Sequence, residues 1–253
     1  MSKIRISGNV KNGLKWAVKQ IPIAFTKNQR YDSQTKKIIQ QHCTGDSNCI
    51  DVGTHKGEIL DLFLKAAPEG IHFGFEPIPY LYKKLEKKYQ SKQQVHLFNL
   101  ALSATEGTAS FNLVTTNPAY SGLKKRAYDR VEEDESITVQ TRLLDDVVLP
   151  FNKKIDLIKI DVEGGEMDVL LGGKQLLQKY APLIIFEFGI GGSDVYGTTP
   201  KQLYAFLSGY GYQVSLLKDF LTKQSSFSLA QFEDQFFQKK NYYFIAHQPH
   251  PTS

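Results

Sequence analysis

Cysteine residues and long apolar runs are both scarce in this sequence. Only two of its 253 residues are cysteines, Cys43 and Cys49, too few for a disulfide framework or an all-cysteine metal site. No apolar run approaches the roughly 20 residues that a membrane-spanning helix needs, and the N-terminus lacks the apolar segment of a secretory signal peptide. We therefore expect a cytoplasmic protein with reduced thiols and no membrane span.

Acidic residues are nearly absent from the first 40 positions. That segment carries nine lysines and arginines and one acid, Asp32, a net charge of +8, whereas the remaining residues carry a net charge of −3. Such a basic segment could contact nucleic acid, a membrane surface or an anionic substrate. Aromatic residues are too sparse there for base stacking. The simpler interpretation is a solvated extension, and we do not expect a nucleic-acid partner.

From residue 48 onward, short apolar strands alternate with helical patterns. Nearly continuous apolar strands are typical of a parallel sheet that is buried on both faces. The predicted strands are Cys49–Val52, Ile71–Phe75, Val95–Leu100, Ile155–Ile160 and Leu183–Phe188, followed by Tyr212–Leu217 and Tyr242–Ala246 as a terminal pair. The predicted helices are Glu58–Ala67, a surface helix with Leu81, Leu85 and Tyr89 on its apolar face, Met167–Lys179, and a helix from the Thr199-Pro200 start to Ser208. This order predicts a doubly wound α/β domain with a mostly parallel sheet.

Two further segments flank or interrupt this alternation. Residues 1–47 are predicted to form an N-terminal helical cap, and residues 48–253 the main domain. An insertion at about 107–144 contains two period-2 stretches, TASFNLV and SITVQTRLL, around a polar loop. They predict a β-hairpin near the carboxyl ends of the main strands, where it could serve as a lid or a substrate wall. The NPAY stretch at 117–120 lies in this loop and is interpreted as a turn.

The stretch CIDVGTHKGEILDLF predicts a strand, a tight turn and a helix start, the arrangement at which α/β proteins bind cofactors. A dinucleotide site needs G-x-G-x-x-G, but here Asp51 replaces the first glycine. A pyrophosphate would lie unfavourably close to this carboxylate, which disfavours a nicotinamide oxidoreductase. S-adenosylmethionine has no phosphate; its ammonium suits the acid, and its carboxylate suits the loop amides and the helix start.

The next predicted strand ends at Glu76, 23 residues beyond Gly53. An acid at about this interval accepts hydrogen bonds from ribose hydroxyls. We therefore expect S-adenosylmethionine as the cofactor. The residues expected to bind it are Asp51, Gly53, Thr54, His55, Gly57, Glu76, Pro77, Ala101 and Asp161.

Three later motifs, TRLLDDV at 141–147, IDLIKIDVEGGEMDVLLGG at 155–173 and PLIIFEFG at 182–189, resemble the FkbM family of S-adenosylmethionine-dependent methyltransferases. The resemblance runs from about Ile50 to Glu187, and D-V-E-G-x-E is its most specific part. It implies a Rossmann-like class I methyltransferase fold, with a seven-stranded sheet whose final strand is antiparallel. It also implies methyl transfer to oxygen, most often a hydroxyl of a sugar, polyketide or other natural product. The opening turn departs from the family's usual D-V-G-A-N-x-G at Thr54 and His55.

Methyl transfer to a hydroxyl needs a group that aligns the acceptor and one that removes its proton. The acids after the fourth and fifth predicted strands, Asp161, Glu163 and Glu187, are candidates for these roles. His55 is another, because a histidine titrates near neutrality. Lys159 alternates onto the same side as Asp161 and is interpreted as its ion-pair partner.

Asp161, Glu163 and Glu187 also resemble an oxygen-rich Mg²⁺ site in composition, but most acids at strand ends bind no metal, and by default we expect none. The main hypothesis is an O-methyltransferase that acts on a small-molecule or glycan hydroxyl. The alternatives are a methyltransferase of RNA or another macromolecule, a non-catalytic protein that binds the adenosyl cofactor and, third, the nicotinamide oxidoreductase. The oligomeric state, including a homodimer, stays open.

Overall fold

The computed structural model describes residues 26–128 and 131–249. The strands are β1 (Cys49–Val52), β2 (His72–Phe75), β3 (Val95–Phe98), β4 (Ala101–Leu102), β5 (Gly107–Val114), β6 (Asp134–Arg142), β7 (Leu157–Ile160), β8 (Leu183–Glu187), β9 (Gln213–Leu216) and β10 (Tyr243–His247). The helices are α1 (Lys27–His42), α2 (Glu58–Ala66), α3 (Pro79–Tyr89), α4 (Leu144–Val148), α5 (Glu166–Leu171), α6 (Lys174–Tyr180), α7 (Pro200–Gly209), α8 (Leu217–Leu221) and α9 (Leu229–Phe237). Within these described residues, no helix is both long enough and apolar enough to cross a membrane.

Seven strands form the central sheet in the order β3-β2-β1-β7-β8-β10-β9. The first five are mutually parallel, and β10 runs antiparallel to both of its neighbours. The prediction of a mostly parallel, seven-stranded sheet with an antiparallel final strand is confirmed. In such a sheet the carboxyl ends of the parallel strands meet at one edge, where α/β proteins bind their ligands.

Alternate residues of each strand supply two separate cores. On one face, Ile158 and Ile184 pack with residues of α6, α7 and α9. On the other face, Leu157 and Ile185 pack with residues of α1, α2, α3 and α8. Burying each such side chain contributes about 1.5–3 kcal/mol. Helices on both faces explain why the strands are almost continuously apolar.

The predicted insertion is a β-hairpin, with β5 antiparallel to β6. It belongs to a second sheet of order β4-β6-β5. The short strand β4 was not predicted, and the predicted strand Val95–Leu100 proved too long. Beyond Phe98 the chain leaves the central sheet, because the Asn99 side chain donates hydrogen bonds to the carbonyl oxygens of Glu76 and Pro77 at 2.8 and 3.0 Å.

The prediction of one helix over Met167–Lys179 was wrong, since α5 and α6 are separate. Gly172 and Gly173 divide them. A Cβ atom on Gly172 would lie 2.4 Å from the carbonyl oxygen of Ser103, so this close contact needs glycine. The predicted start of α7 is confirmed, with Thr199 as the N-cap in a capping box. Helices α4, α8 and α9 were not predicted.

The helix α1 covers part of the sheet face that carries Leu157 and Ile185. Thr26 caps its start, and Ile38 and Ile39 are fully buried in the same core as α2 and α3. Its Tyr31 ring stacks on Tyr243 of β10, with 5.2 Å between ring centroids. The predicted helical cap thus has a helix at 27–42, while residues 1–25 lie outside the described residues. The boundary between a cap and a main domain stays a prediction.

Candidate functional site

Two adjoining clefts open at the carboxyl ends of the parallel strands. The first cleft lies over β1, β2 and β7, and the second lies beside β8. The first cleft is lined mainly by the side chains of Phe75, Ile78, Leu100, Leu102, Phe111, Leu123 and Tyr196, together with the polar residues His55, Glu76, Asp161 and Glu163. The second cleft is lined by Tyr120, Arg126, Tyr128, Glu163, Glu166, Glu187, Lys239 and Tyr242, among others.

The turn after β1 is fixed by left-handed backbone at three positions. Gly53, His55 and Gly57 have φ of 82°, 51° and 81°. A Cβ atom on Gly53 would lie 1.9 Å from the carbonyl oxygen of Asp161, so glycine lets this turn approach the loop after β7. His55 adopts this conformation without that freedom, and such strained positions cluster at functional sites.

Glu76 ties the ends of β1 and β2 together. Its two carboxylate oxygens accept hydrogen bonds from the backbone N–H groups of His55 and Ile78, both at 2.8 Å. Burial disfavours the charged form and raises the pKa of Glu76 to about 7, against the influence of these two bonds. The carboxyl group is therefore held rigidly on the wall of the first cleft.

Asp51, Lys159 and Asp161 form a charged row on the sheet face that α1 and α2 cover. Asp51 of β1 pairs in register with Lys159 of β7. The Lys159 Nζ atom lies 2.8 Å from Asp161 Oδ2, which also accepts a hydrogen bond from the Tyr243 hydroxyl. Both carboxylate oxygens of Asp51 are buried, and neither has a hydrogen-bond partner among the described residues. Burial raises the pKa of Asp51 to about 7.

The ion pair between Lys159 and Asp161 agrees with the interpretation drawn from the sequence. Burial alone would favour the neutral form of Asp161, but Lys159 and hydrogen bonding outweigh it and lower the Asp161 pKa. Burial likewise opposes the charge on Lys159, and Asp161 and Asp51 outweigh it and raise the Lys159 pKa. Both groups are therefore charged at neutral pH.

Three acids converge where the clefts meet. One carboxylate oxygen each from Asp161, Glu163 and Glu187 lies within 4.8 Å of the other two. Glu163 has a φ of 58° and Gly164 a φ of 111°, so the loop turns sharply after β7. Burial and the neighbouring Asp161 raise the pKa of Glu163 to about 8 and that of Glu187 well above its usual range. Ionised together, these acids repel one another.

Glu166 begins α5 behind this group of acids. Its Oε1 atom accepts hydrogen bonds from the backbone N–H groups of Val162 and Gly164 at 3.2 and 3.1 Å. In the part of the chain that the structure describes, nothing forms a hydrogen bond with its buried Oε2 atom. Burial raises the pKa of Glu166 to about 7. The carboxylate therefore fixes the loop that carries Glu163 and leaves one oxygen unsatisfied.

Residues 115–128, here called the lid segment, extend from the inserted hairpin over both clefts. Arg126 forms an ion pair with Glu163, and its guanidinium lies 5.0 Å from the Tyr120 ring centroid. On the first-cleft side, the Tyr196 hydroxyl accepts a hydrogen bond from the Lys124 backbone N–H at 3.1 Å. The lid segment thus contacts the loop after β7 and the loop after β8.

The candidate residues from the sequence divide among three locations. The first cleft is lined by Gly53, His55, Glu76, Pro77, Ala101, Asp161 and Glu163, and the second by Glu163 and Glu187. Asp51, Thr54 and Gly57 line neither cleft. The Thr54 hydroxyl donates to the Asp51 carbonyl at 3.0 Å, and the Gly57 carbonyl accepts from Tyr89 at 2.8 Å, so both stabilise the turn. His55 and Glu187 line different clefts.

Sequence reasoning missed two tyrosines of this site, Tyr196 and Tyr243, although Tyr120 and Arg126 in the inserted loop were considered as possible contacts of the acceptor. Tyr243 and Tyr196 lie far along the chain from the motifs they contact, 82 and 72 residues from their partners Asp161 and Lys124. The apolar stretch after Tyr243 predicts a strand, but only the strand order places it beside Glu187. No local pattern around Tyr196 indicates its contact.

Taken together, the strand order, the antiparallel final strand and the cleft beside Glu76 define a Rossmann-like class I methyltransferase. The chain belongs to the methyltransferase FkbM domain family, whose model matches residues 51–214. It is therefore a methyltransferase, and the resemblance noted in the sequence is confirmed.

Individual relatives agree with this assignment. The chain is 28% identical over 186 residues to 2-O-methyltransferase NoeI of Sinorhizobium fredii (strain NBRC 101917 / NGR234), covering 67% of this chain and 76% of that protein. It is 25% identical over 173 residues to methyltransferase sdnD of Sordaria araneosa, covering 54% and 66%. The structure of methyltransferase FkbM from Methylobacillus flagellatus KT matches with a TM-score of 0.50 at 14% identity, covering 81% of this chain. This chain spans 44% of that protein.

Proposed function

We propose that this methyltransferase uses S-adenosylmethionine to methylate a hydroxyl group of a small molecule or glycan. One observation carries the proposal: Glu163 lines both clefts. A single carboxylate therefore stands between a place suited to the cofactor and a place suited to the acceptor.

The first cleft has the chemistry that an adenosyl cofactor needs. Phe75, Leu102 and Phe111 offer apolar walls for a purine ring. The fixed carboxyl group of Glu76 suits the ribose hydroxyls, and Asp161 suits the ammonium or the sulfonium. A pyrophosphate would face the same acids without a compensating cation, so the cleft suits a nicotinamide dinucleotide poorly.

The second cleft suits a polar, uncharged acceptor. Tyrosine rings and carboxylates line it together, and this combination offers both flat surfaces and hydrogen-bond acceptors for hydroxyl groups. The carboxylates of Glu163, Glu166 and Glu187 would repel the phosphates of RNA. The relative NoeI is named as a 2-O-methyltransferase, which supports oxygen as the atom that accepts the methyl group.

The bound cofactor supplies an electrophilic methyl group for in-line displacement. The chain's own part is to align the acceptor hydroxyl and to accept its proton, and Glu163 is placed for the second role. Glu187 lies in the same group of acids and is the alternative base, whereas His55 lines the first cleft and is better placed for the cofactor. Asp161 is held by Lys159 and Tyr243, so it can orient a ligand without moving. The lid segment limits the access of water.

Calorimetric titration tests the cofactor part of the proposal. We expect the protein to bind S-adenosylmethionine and S-adenosylhomocysteine in preference to NAD, and we expect Glu76→Gln to weaken both adenosyl ligands at least about tenfold, because one acceptor of the ribose hydroxyls becomes a donor. Glu86→Gln, an exposed change of the same kind on α3, should leave the affinity unchanged. If the folded protein bound neither adenosyl ligand, the proposal would be wrong.

An acceptor screen that follows S-adenosylhomocysteine release tests the transfer. With an accepted hydroxyl compound, Glu163→Gln should lower kcat by about 100-fold or more while S-adenosylhomocysteine affinity stays within about threefold. A protein that binds the cofactor, methylates no tested hydroxyl and responds to Glu163→Gln only in stability would instead be a non-catalytic binding protein.

A further inference from the structure

We propose that Asp161, Glu163 and Glu187 bind a hard divalent cation, Mg²⁺ or Mn²⁺, at the junction of the two clefts. The default expectation from the sequence was that no metal binds. The geometry of the folded chain leads to a different inference.

The spacing of the three carboxylates suits such an ion. Their oxygens lie within 4.8 Å of one another, whereas opposite ligands of an octahedral Mg²⁺ are about 4 Å apart, since each metal–oxygen bond is about 2.1 Å long. Small side-chain rotations would close the difference. Each of the three residues is partly accessible to solvent, so an ion can reach the group without unfolding.

Glu166 is a second and independent observation. The residue is only 1% exposed and lines the second cleft beside Glu163 and Glu187. Its Oε2 atom has no hydrogen-bond partner within residues 26–128 and 131–249. An unsatisfied buried carboxylate oxygen is costly. A metal-bound water or a positive charge in the second cleft would satisfy it.

The carboxylates of the site also outnumber the neighbouring cations by the charge of one divalent cation. Four carboxylates surround the junction, those of Asp161, Glu163, Glu166 and Glu187. Two cations contact them, Lys159 on Asp161 and Arg126 on Glu163. Across residues 26–128 and 131–249, no lysine, arginine or histidine forms an ion pair with Glu166 or Glu187. With all four carboxylates ionised, the group has two excess negative charges, which one divalent cation would neutralise.

The ligand chemistry selects the class of metal. All three ligands are carboxylate oxygens, which hard cations such as Mg²⁺ and Mn²⁺ prefer, whereas zinc and copper sites in proteins usually include histidine or cysteine. Asp161 and Glu163 come from one loop and Glu187 from the adjacent strand, so the site is built on the rigid edge of the sheet.

For the acceptor, the inference rests on the proposed function. A cation here would contact a hydroxyl oxygen in the second cleft, orient it and lower its pKa. It would favour acceptors that present two neighbouring oxygens to the ion. Binding of the cation itself does not depend on methyl transfer and can be measured without it.

Electron paramagnetic resonance of Mn²⁺ tests the proposal on chelator-treated, full-length protein. Free Mn²⁺ gives a sharp six-line signal that is lost on binding. We expect one site with a Kd below roughly 1 mM that Mg²⁺ displaces. Wild-type protein that binds no Mn²⁺ in this range, yet still binds S-adenosylhomocysteine, would overturn the cation site and leave the proposed function standing.

Amide variants locate the site. Glu187→Gln and Glu163→Gln should each weaken Mn²⁺ binding at least about tenfold, because even outer-shell changes at metal sites have effects of this size. The matched control Glu86→Gln removes a distant, exposed acid and should have no effect. S-adenosylhomocysteine binding and the far-ultraviolet spectrum report whether each variant is folded. Mn²⁺ binding that neither variant weakens would place the ion elsewhere and overturn the assignment.

Discussion

The guanidinium of Arg126 and the carboxylate of Glu163 form an ion pair that joins the lid segment to the loop after β7. The two residues belong to structures built on different sheets, and the exposed fractions of their side chains are only 16% and 13%. Because Glu163 lines both clefts, the pair fixes the lid segment at the point where cofactor and acceptor would meet. Its strength therefore bears on how readily the second cleft opens.

A double-mutant cycle should detect this coupling. We expect Arg126→Gln to lower the free energy of unfolding by about 2 kcal/mol, because a shielded carboxylate loses its cation. In protein that already carries Glu163→Gln, Arg126→Gln should lower the free energy of unfolding by at least about 1 kcal/mol less than it does in wild type. Urea unfolding with EDTA present measures both. Effects that add within about 0.3 kcal/mol would show that the contact does not hold the lid segment.

Lys159 and Lys240 test how burial changes the value of an ion pair. Their Nζ atoms lie 2.8 and 2.6 Å from the partner carboxylates, but the lysine side chains are 8% and 51% exposed. Lys159→Met should destabilise the protein by about 3 kcal/mol or more, since it leaves the mostly shielded carboxylate of Asp161 without its cation. Lys240→Met should cost less than about 1 kcal/mol. Equal losses in thermal or urea unfolding would contradict the role assigned to Lys159.

Glu76 should make both stability and cofactor binding depend on pH. Its folded pKa of about 7 exceeds the usual 4.5, so the folded protein keeps a proton that the unfolded chain releases. The stability contribution is complete below pH 4.5 and is lost as the pH rises through about 7. Between pH 5 and pH 8, the free energy of unfolding of Glu76→Gln should therefore rise by up to about 3 kcal/mol relative to that of the wild-type protein.

Cofactor affinity should move in the opposite direction. An ionised Glu76 accepts hydrogen bonds from ribose hydroxyls better than a neutral one, so S-adenosylhomocysteine should bind more tightly as the pH rises from about 6 to 8. Calorimetric titration across this range measures the trend. We expect the profile of Glu76→Gln to be flatter, and an unchanged slope in the variant would assign the pH dependence to another group, such as Asp51.

An alanine at Gly53 should destabilise the protein, whereas an alanine at Gly45 should not. An alanine Cβ at Gly53 would overlap the Asp161 carbonyl, and the residue has a φ of 82°. Gly53→Ala should therefore cost more than about 2 kcal/mol and weaken adenosyl binding. A Cβ at Gly45 meets no atom within 4 Å, so Gly45→Ala should stay within about 0.5 kcal/mol of wild type. Chemical denaturation and calorimetry compare the two variants.

The two adjacent acids of the TRLLDDV motif should differ in effect. Asp145 is buried, and its carboxylate accepts hydrogen bonds from the backbone N–H groups of Gln175 and Leu176 at 2.8 and 2.9 Å, which caps the start of α6. Asp145→Ala should lower the unfolding free energy by about 1–2 kcal/mol. Asp146 is exposed, and Asp146→Ala should change it by less than about 0.5 kcal/mol. A reversed order would contradict the capping role.

The sequence predicts the strands well because buried parallel strands have a strong local signal. Cys49–Val52 is observed with the predicted bounds, and the other main strands differ by one or two residues at their ends. The pair of glycines at 172–173 did not indicate a helix break, since the contact that requires glycine comes from Ser103, far away in the chain. Local periodicity cannot detect a close approach of this kind.

Within the site, the acids were predictable and their surroundings were not. Asp161, Glu163 and Glu187 follow predicted strands, and parallel strands end at one edge of a sheet. Their partners come from other parts of the fold: Tyr243 from an antiparallel strand, and Arg126 from an inserted hairpin. The distribution of pKa values depends on these contacts and on burial. The sequence therefore identifies the ionisable groups of the site, whereas their charge states depend on the folded structure.

The position of β10 in the central sheet has a consequence for protein synthesis. Of the ten strands in the described residues, this one emerges last from the ribosome, yet it lies between β8 and β9, which are made earlier. Until residues 243–247 are available, β8 has an unpaired edge, and Asp161 lacks the hydroxyl of Tyr243. The nascent chain must therefore hold an incomplete sheet, with an edge open to wrong pairing, until nearly all of the described residues have been translated.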